Sequence, residues 1–208
     1  MRYEPTWQED DKSCWYSCTV LIVVYVLIAL FGCASYIVGT FEMIMGKYGP
    51  SVFSRVVWLL LATISFSDIV ASHSAFASIL LSSIFLVGNA TICLFSFWKG
   101  SRIIGNLEYV SLGILIASAI VWLVFDAPVV SLAISLLAHF VGGTPTYSKV
   151  WRSPESESAG FWSLFFIASA LSLLADLHQP FKSLIFPSYF VVFDGVMTIL
   201  SLRRRPQK

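Results

Sequence analysis

The sequence predicts an all-α membrane protein of seven transmembrane helices, built as two parallel three-helix repeats joined by a linker helix. Three observations carry this. Hydrophobic residues make up 57% of the 208 and charged residues only 12%, with the charges confined to short clusters between long apolar runs. Those runs are continuous and too long for spanning strands, and backbone groups in lipid must be satisfied within each segment, so they read as helices. The chain also repeats itself at an offset of 104. Gly39 falls on Gly143, Thr40 on Thr144, Pro50 on Pro154, Ser54 on Ser158, Trp58 on Trp162, Leu60 on Leu164 and Ser65 on Ser169. The glycine, proline and tryptophan pairs carry the weight, because matches in Leu or Ser are cheap in an apolar chain.

The elements follow in order. Residues 1–17, with Glu4, Glu9, Asp10 and Asp11, lack the basic start and small-residue cleavage site of a signal peptide and are expected to form a retained tail. Spans at 18–37, 52–69 and 74–98 make the first repeat, 18–106. The span at 107–125 has no counterpart and is the linker, 107–127. Spans at 129–147, 161–175 and 184–202 make the second repeat, 128–202, followed by a basic tail, 203–208. One odd helix between two three-helix units reverses the chain once more, so both units cross the bilayer in the same sense. Parallel repeats of this kind, related by an axis along the membrane normal, are a pattern of secondary transporters.

Basic residues set the orientation. Seven spans gather Lys47, Arg55, Lys99, Arg102, Lys149, Arg152, Arg203, Arg204, Arg205 and Lys208 on one side, and leave Arg2, Lys12 and Lys182 on the other. The positive-inside rule then puts the C-terminus in the cytoplasm and the N-terminus outside. The connections are too short for a soluble domain, so function must reside in the bundle or on its faces. The net charge of +1 gives no sign of a nucleic-acid partner. Cys14, Cys18, Cys33 and Cys93 show no metal spacing and read as small buried hydrophobes.

The run Gly142-Gly143-Thr144-Pro145-Thr146-Tyr147-Ser148-Lys149-Val150-Trp151-Arg152-Ser153-Pro154-Glu155-Ser156-Glu157-Ser158 resembles the PQ-loop signature of the SWEET and PQ-loop superfamily. In that family a proline near the cytoplasmic end of the first repeat helix precedes a basic, Ser-rich loop. Thr146 stands where the family has glutamine, and Phe41 and Glu42 stand where the first repeat would carry Pro-Gln. The wider sequence looks most like uncharacterised prokaryotic members, which implies a plasma-membrane protein with a SWEET-like 3+1+3 fold. By the same resemblance, the third helix of each repeat supplies a polar side chain to a central site. That implication selects Asn89 and Asp194.

The residues themselves point the same way. Asp194 lies mid-span among Val191, Val192, Phe193 and Val196. An ionisable group at that depth costs about 2.5–3.5 kcal/mol on insertion scales, so it should face a polar cavity or tie its helix to a neighbour. Asn89 is its counterpart with a one-residue slip, and each sits beside a glycine, Gly88 or Gly195, read as leaving room for a ligand. Asn89 can equally form an interhelical hydrogen bond. His139 is mid-span and either bonds solute and passes protons or is a satisfied packing histidine. Trp58 and Trp162, matched across the repeats, either stack on a ligand or anchor their helices. Pro145 deprives the Val141 carbonyl of its helical partner, so with Gly142 and Gly143 it marks either a gate hinge or the end of its helix. Asp68, His73, Asp126, Asp176 and His178 fall at helix ends and read as solvated caps.

These features favour a transporter of a small polar solute, sugar-like or another small metabolite. A receptor or interaction protein on the same fold is the alternative. No cofactor or metal is expected. An enzyme is disfavoured because Asp194 has no second mid-membrane aspartate and no nucleophile stands at a convincing spacing from a base. A retinal protein is disfavoured because Lys182, the lysine nearest the last span, is at its edge. Partners are then the solute and the lipid bilayer, with homo-oligomerisation left open.

Overall fold

A computed structural model describes residues 7–47, 51–100 and 106–203. It is all-α, with seven helices: α1 (Trp7–Ile44), α2 (Val52–Ala71), α3 (Phe76–Lys99), α4 (Asn106–Phe125), α5 (Pro128–Arg152), α6 (Ala159–Asp176) and α7 (Phe181–Leu202). Six are long and apolar enough to cross a membrane, α1 through its segment Thr19–Ile44; in α4 the apolar stretch is the shorter Tyr109–Phe125. The chain is an integral membrane protein. Pro50, Arg102 and the basic tail from Arg204 to Lys208 lie outside the described residues, as do residues 1–6.

Local chemistry sets several boundaries. Ser51 caps α2 by accepting from the Ser54 N–H, and Ser158 caps α6 by accepting from the Phe161 N–H. The α2–α3 and α4–α5 corners turn on left-handed residues, His73 at φ 51° and Asp126 at φ 49°. Pro128 then occupies the first turn of α5, where its missing N–H costs nothing.

The first helix corrects the expected tail. Helix α1 has 38 residues, about 57 Å at 1.5 Å per residue against about 30 Å of hydrocarbon, so residues 7–17 continue the helix beyond the apolar run. Helix α5 also outruns its expected end. It continues through Pro145 to Arg152, so the proline does not terminate it, and a 3-10 turn, Pro154–Ser156, leads to the α6 cap. Lys149 steadies that turn through Glu157 Oε1 and the Ser156 carbonyl, both at 3.1 Å.

Helix α1 packs on α6 and α3, α5 packs on α2 and α7, α2 on α3, and α6 on α7; α3 also meets α6 and α7. Exchanging α1, α2 and α3 for α5, α6 and α7 turns the α1–α6 contact into α5–α2, α1–α3 into α5–α7 and α2–α3 into α6–α7. Helix α4 rides outside on α5 and α2. Its buried Ser111, Leu115 and Ser118 form one stripe, with Ser111 donating to the Ala138 carbonyl at 2.7 Å and Ser118 to the Ser131 carbonyl at 2.9 Å. Small residues that let backbones approach and then bond across helices are the usual means of membrane packing.

Two expected caps are not solvated. Asp68 is 0% exposed and Asp176 1%, whereas His73, Asp126 and His178 are exposed. Asp68 accepts from Ser131 Oγ at 3.0 Å; Asp176 accepts from the Ser78 N–H at 3.1 Å and Ser78 Oγ at 2.6 Å. Each joins a helix of the first three to one of the last three. Nearby, Ser65 bonds Ser135 at 3.1 Å, the Ala75 N–H donates to Ser183 Oγ at 2.9 Å, and Lys182 donates to the Ser72 carbonyl. Pro187 inside α7 withholds an N–H from the Ser183 carbonyl, which lies 2.7 Å from Ser78 Oγ and shares that hydroxyl's single proton with Asp176. Polar bonds between the two helix triplets thus gather at the end where α2 and α6 finish, the aspartate end. Nearer the opposite, basic end the triplets also pack through aromatic rings, such as the Tyr36 ring against Phe161 at 5.3 Å. Cys93 is buried as expected, but Cys33 is exposed on the outer face of α1.

Candidate functional site

Inside the bundle a small cavity is lined by Trp58 from α2, Asn89 from α3, His139 from α5, Trp162 from α6 and Asp194 from α7. All five residues singled out in the sequence as solute-facing candidates therefore meet around one space. Tyr36, Phe85, Phe161, Phe165 and Phe190 complete its wall. Its volume is about 10 Å³, roughly the room of one water.

The polar groups differ in how far they are satisfied. Asn89 donates to the Tyr36 hydroxyl at 3.0 Å and to the Phe85 carbonyl one turn back at 2.8 Å, which makes it a tether between α3 and α1 as well as a cavity residue. His139 shares a 2.8 Å hydrogen bond between its Nδ1 and the Tyr189 hydroxyl. Its ring is enclosed by Trp58 at 4.8 Å and Phe193 at 4.6 Å between centroids. His139 is thus held by α7, through Tyr189 and not through the Asp194 carboxylate. Asp194 is 1% exposed, receives one long bond from Ser169 Oγ at 3.5 Å, and its Oδ1 has no partner among the described residues. The Trp162 indole N–H likewise has none. An acceptor and a donor thus stand unpaired in one wall, where an unmade hydrogen bond costs about 1–3 kcal/mol.

The tryptophans are not interfacial anchors, since both are buried on the cavity. The Arg55 guanidinium, itself buried, lies 4.8 Å over the Trp58 ring on the basic side, a cation–π contact that the charge count along the chain had assigned only to the membrane surface. Pro145, Gly142 and Gly143 lie off the cavity. Gly143 is a packing residue, because a Cβ there would come within 2.8 Å of the Phe193 ring. Gly142 similarly admits Ser111 of α4.

One expectation about glycine is corrected. The space beside Gly88 is taken by protein: a Cβ at Gly88 would lie 2.2–2.4 Å from three atoms of the Tyr36 ring. Gly195 faces Phe166 in the same way, at 3.2 Å. Both glycines pack against aromatic rings, and neither lines the central cavity.

Comparison of the chain with family models, curated proteins and solved structures finds no match. The functional reading therefore rests on the residues. A buried space bounded by one carboxylate, one amide, one imidazole and two indoles can accept and donate hydrogen bonds and can present flat apolar faces to a ring.

Proposed function

We propose that the protein moves a small polar solute, sugar-like or another small metabolite, across the membrane by alternating access between α1–α3 and α5–α7, with α4 as the linker. The observation that carries this reading is the convergence of Trp58, Asn89, His139, Trp162 and Asp194, from five helices of both triplets, on one buried cavity. Three kinds of helix contact that survive exchange of the triplets, α1–α6, α1–α3 and α2–α3, together with the offset of 104, support two parallel repeats of the SWEET-like kind, although α3–α6 has no counterpart of similar extent among the described residues. The polar bonds at the aspartate end support a state latched at that end. In this reading the aspartate end and the N-terminus face outward, and Arg203 faces the cytoplasm.

A cavity of about 10 Å³ admits no solute larger than water, so in this reading entry of a solute requires the triplets to part. The same small volume is what favours the second reading, a receptor or interaction protein that uses the fold without a pathway. A screen of small metabolites for thermal stabilisation of the purified protein tests whether the cavity takes a solute, and solute uptake into vesicles carrying the protein separates the two readings. A ligand bound by the native state raises its apparent stability, by about 2.7 kcal/mol at a hundred times its Kd. The transport reading expects a stabilising metabolite whose effect disappears in Asp194→Leu and Trp162→Leu. A screen whose only stabilisers act equally on those variants counts against it.

A further inference from the structure

Besides the central cavity, the described residues form a much larger groove, of about 560 Å³, on the outer face of α1 and α3. Its rim is apolar and open sideways, with Ile37 68%, Phe41 59% and Val87 65% exposed, and it lies within the membrane-spanning parts of both helices. Its floor is Gly88 and Tyr36. The hydroxyl of Ser83 is spent on the Ile79 carbonyl at 2.7 Å and that of Thr91 on the Val87 carbonyl at 2.9 Å, and Thr40 Oγ1 is the lining hydroxyl that has no partner among the described residues.

We propose that this groove seats one phospholipid acyl chain, and that the chain rests on Tyr36, the wall the groove shares with the central cavity. Length identifies the occupant. From Cys33 to Ile44 the groove follows α1 for about 16 Å at 1.5 Å per residue, close to half of the roughly 30 Å hydrocarbon thickness, which is the reach of a chain from one leaflet. The groove also runs along the helices, as a chain does. A second copy's helix is the competing occupant: Cys33, Thr40, Ser83 and Thr91 are small, but the exposed rim residues Ile37, Phe41 and Val87 hold a helix backbone off, whereas an acyl chain passes between them.

Tyr36 gives the site its consequence. Tyr36 lines both the groove and the central cavity, and its hydroxyl receives the Asn89 amide at 3.0 Å. A chain pressing on the ring holds that hydrogen bond in place, and an empty groove lets the ring move toward lipid and loosens Asn89. The lipid site thereby adjusts the polar centre whatever that centre binds.

The test uses the full chain in phosphatidylcholine vesicles doped with phosphatidylcholine carrying a diazirine midway along one acyl chain. After irradiation, adducts are mapped by peptide mass spectrometry. The proposal expects adducts on 33–44 and 83–91 to exceed, several-fold, those at equally exposed Val192 and Ile199 of α7. Val87→Trp, which fills the groove from its exposed rim, should lower the groove adducts several-fold and leave those on α7 unchanged. Tyr36→Ala, or Tyr36→Val if the smaller residue does not fold, should admit the chain inward and bring adducts onto Phe85 and Asn89. Adducts that merely follow exposure, or that Val87→Trp leaves unchanged, overturn the acyl-chain site. A groove shielded from lipid in a dimer that Val87→Trp dissolves overturns it in favour of a second copy. Cavity residues that stay unlabelled in the folded Tyr36 variant overturn Tyr36 as the shared wall.

Discussion

Gly88→Ala should destabilise the protein by about 2–3 kcal/mol, an unusual outcome for a change that normally favours a helix. The added Cβ would lie 2.2–2.4 Å from the Tyr36 ring, and one of the atoms it meets is Cγ, which the ring cannot swing away because it is fixed to the α1 backbone through a single carbon. Overpacking of this kind costs about 1–3 kcal/mol. Displacing Tyr36 also breaks its hydrogen bond with Asn89, a membrane-interior bond worth about 0.6 and at most about 1.7 kcal/mol. Against these stands a gain of about 1 kcal/mol in helix propensity for Ala over Gly. Because the contact is with three ring atoms and not a flexible tip, the upper part of the overpacking range applies. The assay is unfolding in mixed micelles of mild detergent and dodecyl sulfate, followed by circular dichroism. In a Tyr36→Ala background the same glycine change should become neutral or stabilising, since the ring it collides with is gone, and the cycle of four proteins isolates that coupling. A Gly88→Ala protein as stable as wild type, or one whose penalty persists without the Tyr36 ring, would refute the packing described for α1 and α3.

Other outcomes follow from the same contacts. Asp176→Ala should cost more than Asp68→Ala in that unfolding assay, each about 1–3 kcal/mol, because Asp176 takes two bonds from Ser78 and Asp68 one from Ser131; equal or negligible losses would contradict the latch at the aspartate end. Ser118→Ala should loosen α4 by about 0.6 kcal/mol, read by the same unfolding curve, with Thr63→Ala on an exposed face as the neutral control. Asp194→Asn should fold like wild type yet lose gradient-driven uptake or change its pH dependence, whereas Asp194→Leu should lose uptake at every pH; wild-type transport by Asp194→Asn would reduce Asp194 to a tether between helices. Reporter fusions after residue 203 and before residue 7 should lie on opposite sides of the membrane, the first in the cytoplasm; matching sides would remove the spanning role of α4.

The parts of this fold legible in the sequence were those governed by hydropathy. Long apolar runs give the helices because lipid offers the backbone no other partner, and the positions of Asn89, His139 and Asp194 stood out because a polar group in such a run is costly unless something meets it. What hydropathy does not encode is which neighbour meets it. Asp68 and Asp176 looked solvated because each ends a helix, yet their serine partners lie 63 and 98 residues away in the chain, and only the packing of α2 on α5 and α3 on α6 buries them. Residues 7–17 carried no apolar signal, so their helix was read as a tail. Tyr36, Phe85, Phe161, Phe165 and Phe190 escaped notice for the opposite reason: in a membrane helix the face toward lipid is as apolar as the face toward the core, and aromatic periodicity does not separate them.

Solute uptake into vesicles carrying the purified protein tests the central claim most directly, that the cavity between the triplets is a solute pathway. A panel of labelled sugars and other small polar metabolites is offered to vesicles with wild type, Asn89→Leu, Asp194→Leu and the lipid-facing control Val192→Leu, each at matched amounts of folded protein. The account predicts uptake of at least one metabolite above protein-free vesicles by wild type and the control, and its loss in both cavity variants. Uptake by wild type no greater than that of protein-free vesicles, or undiminished uptake by Asn89→Leu and Asp194→Leu, would contradict it.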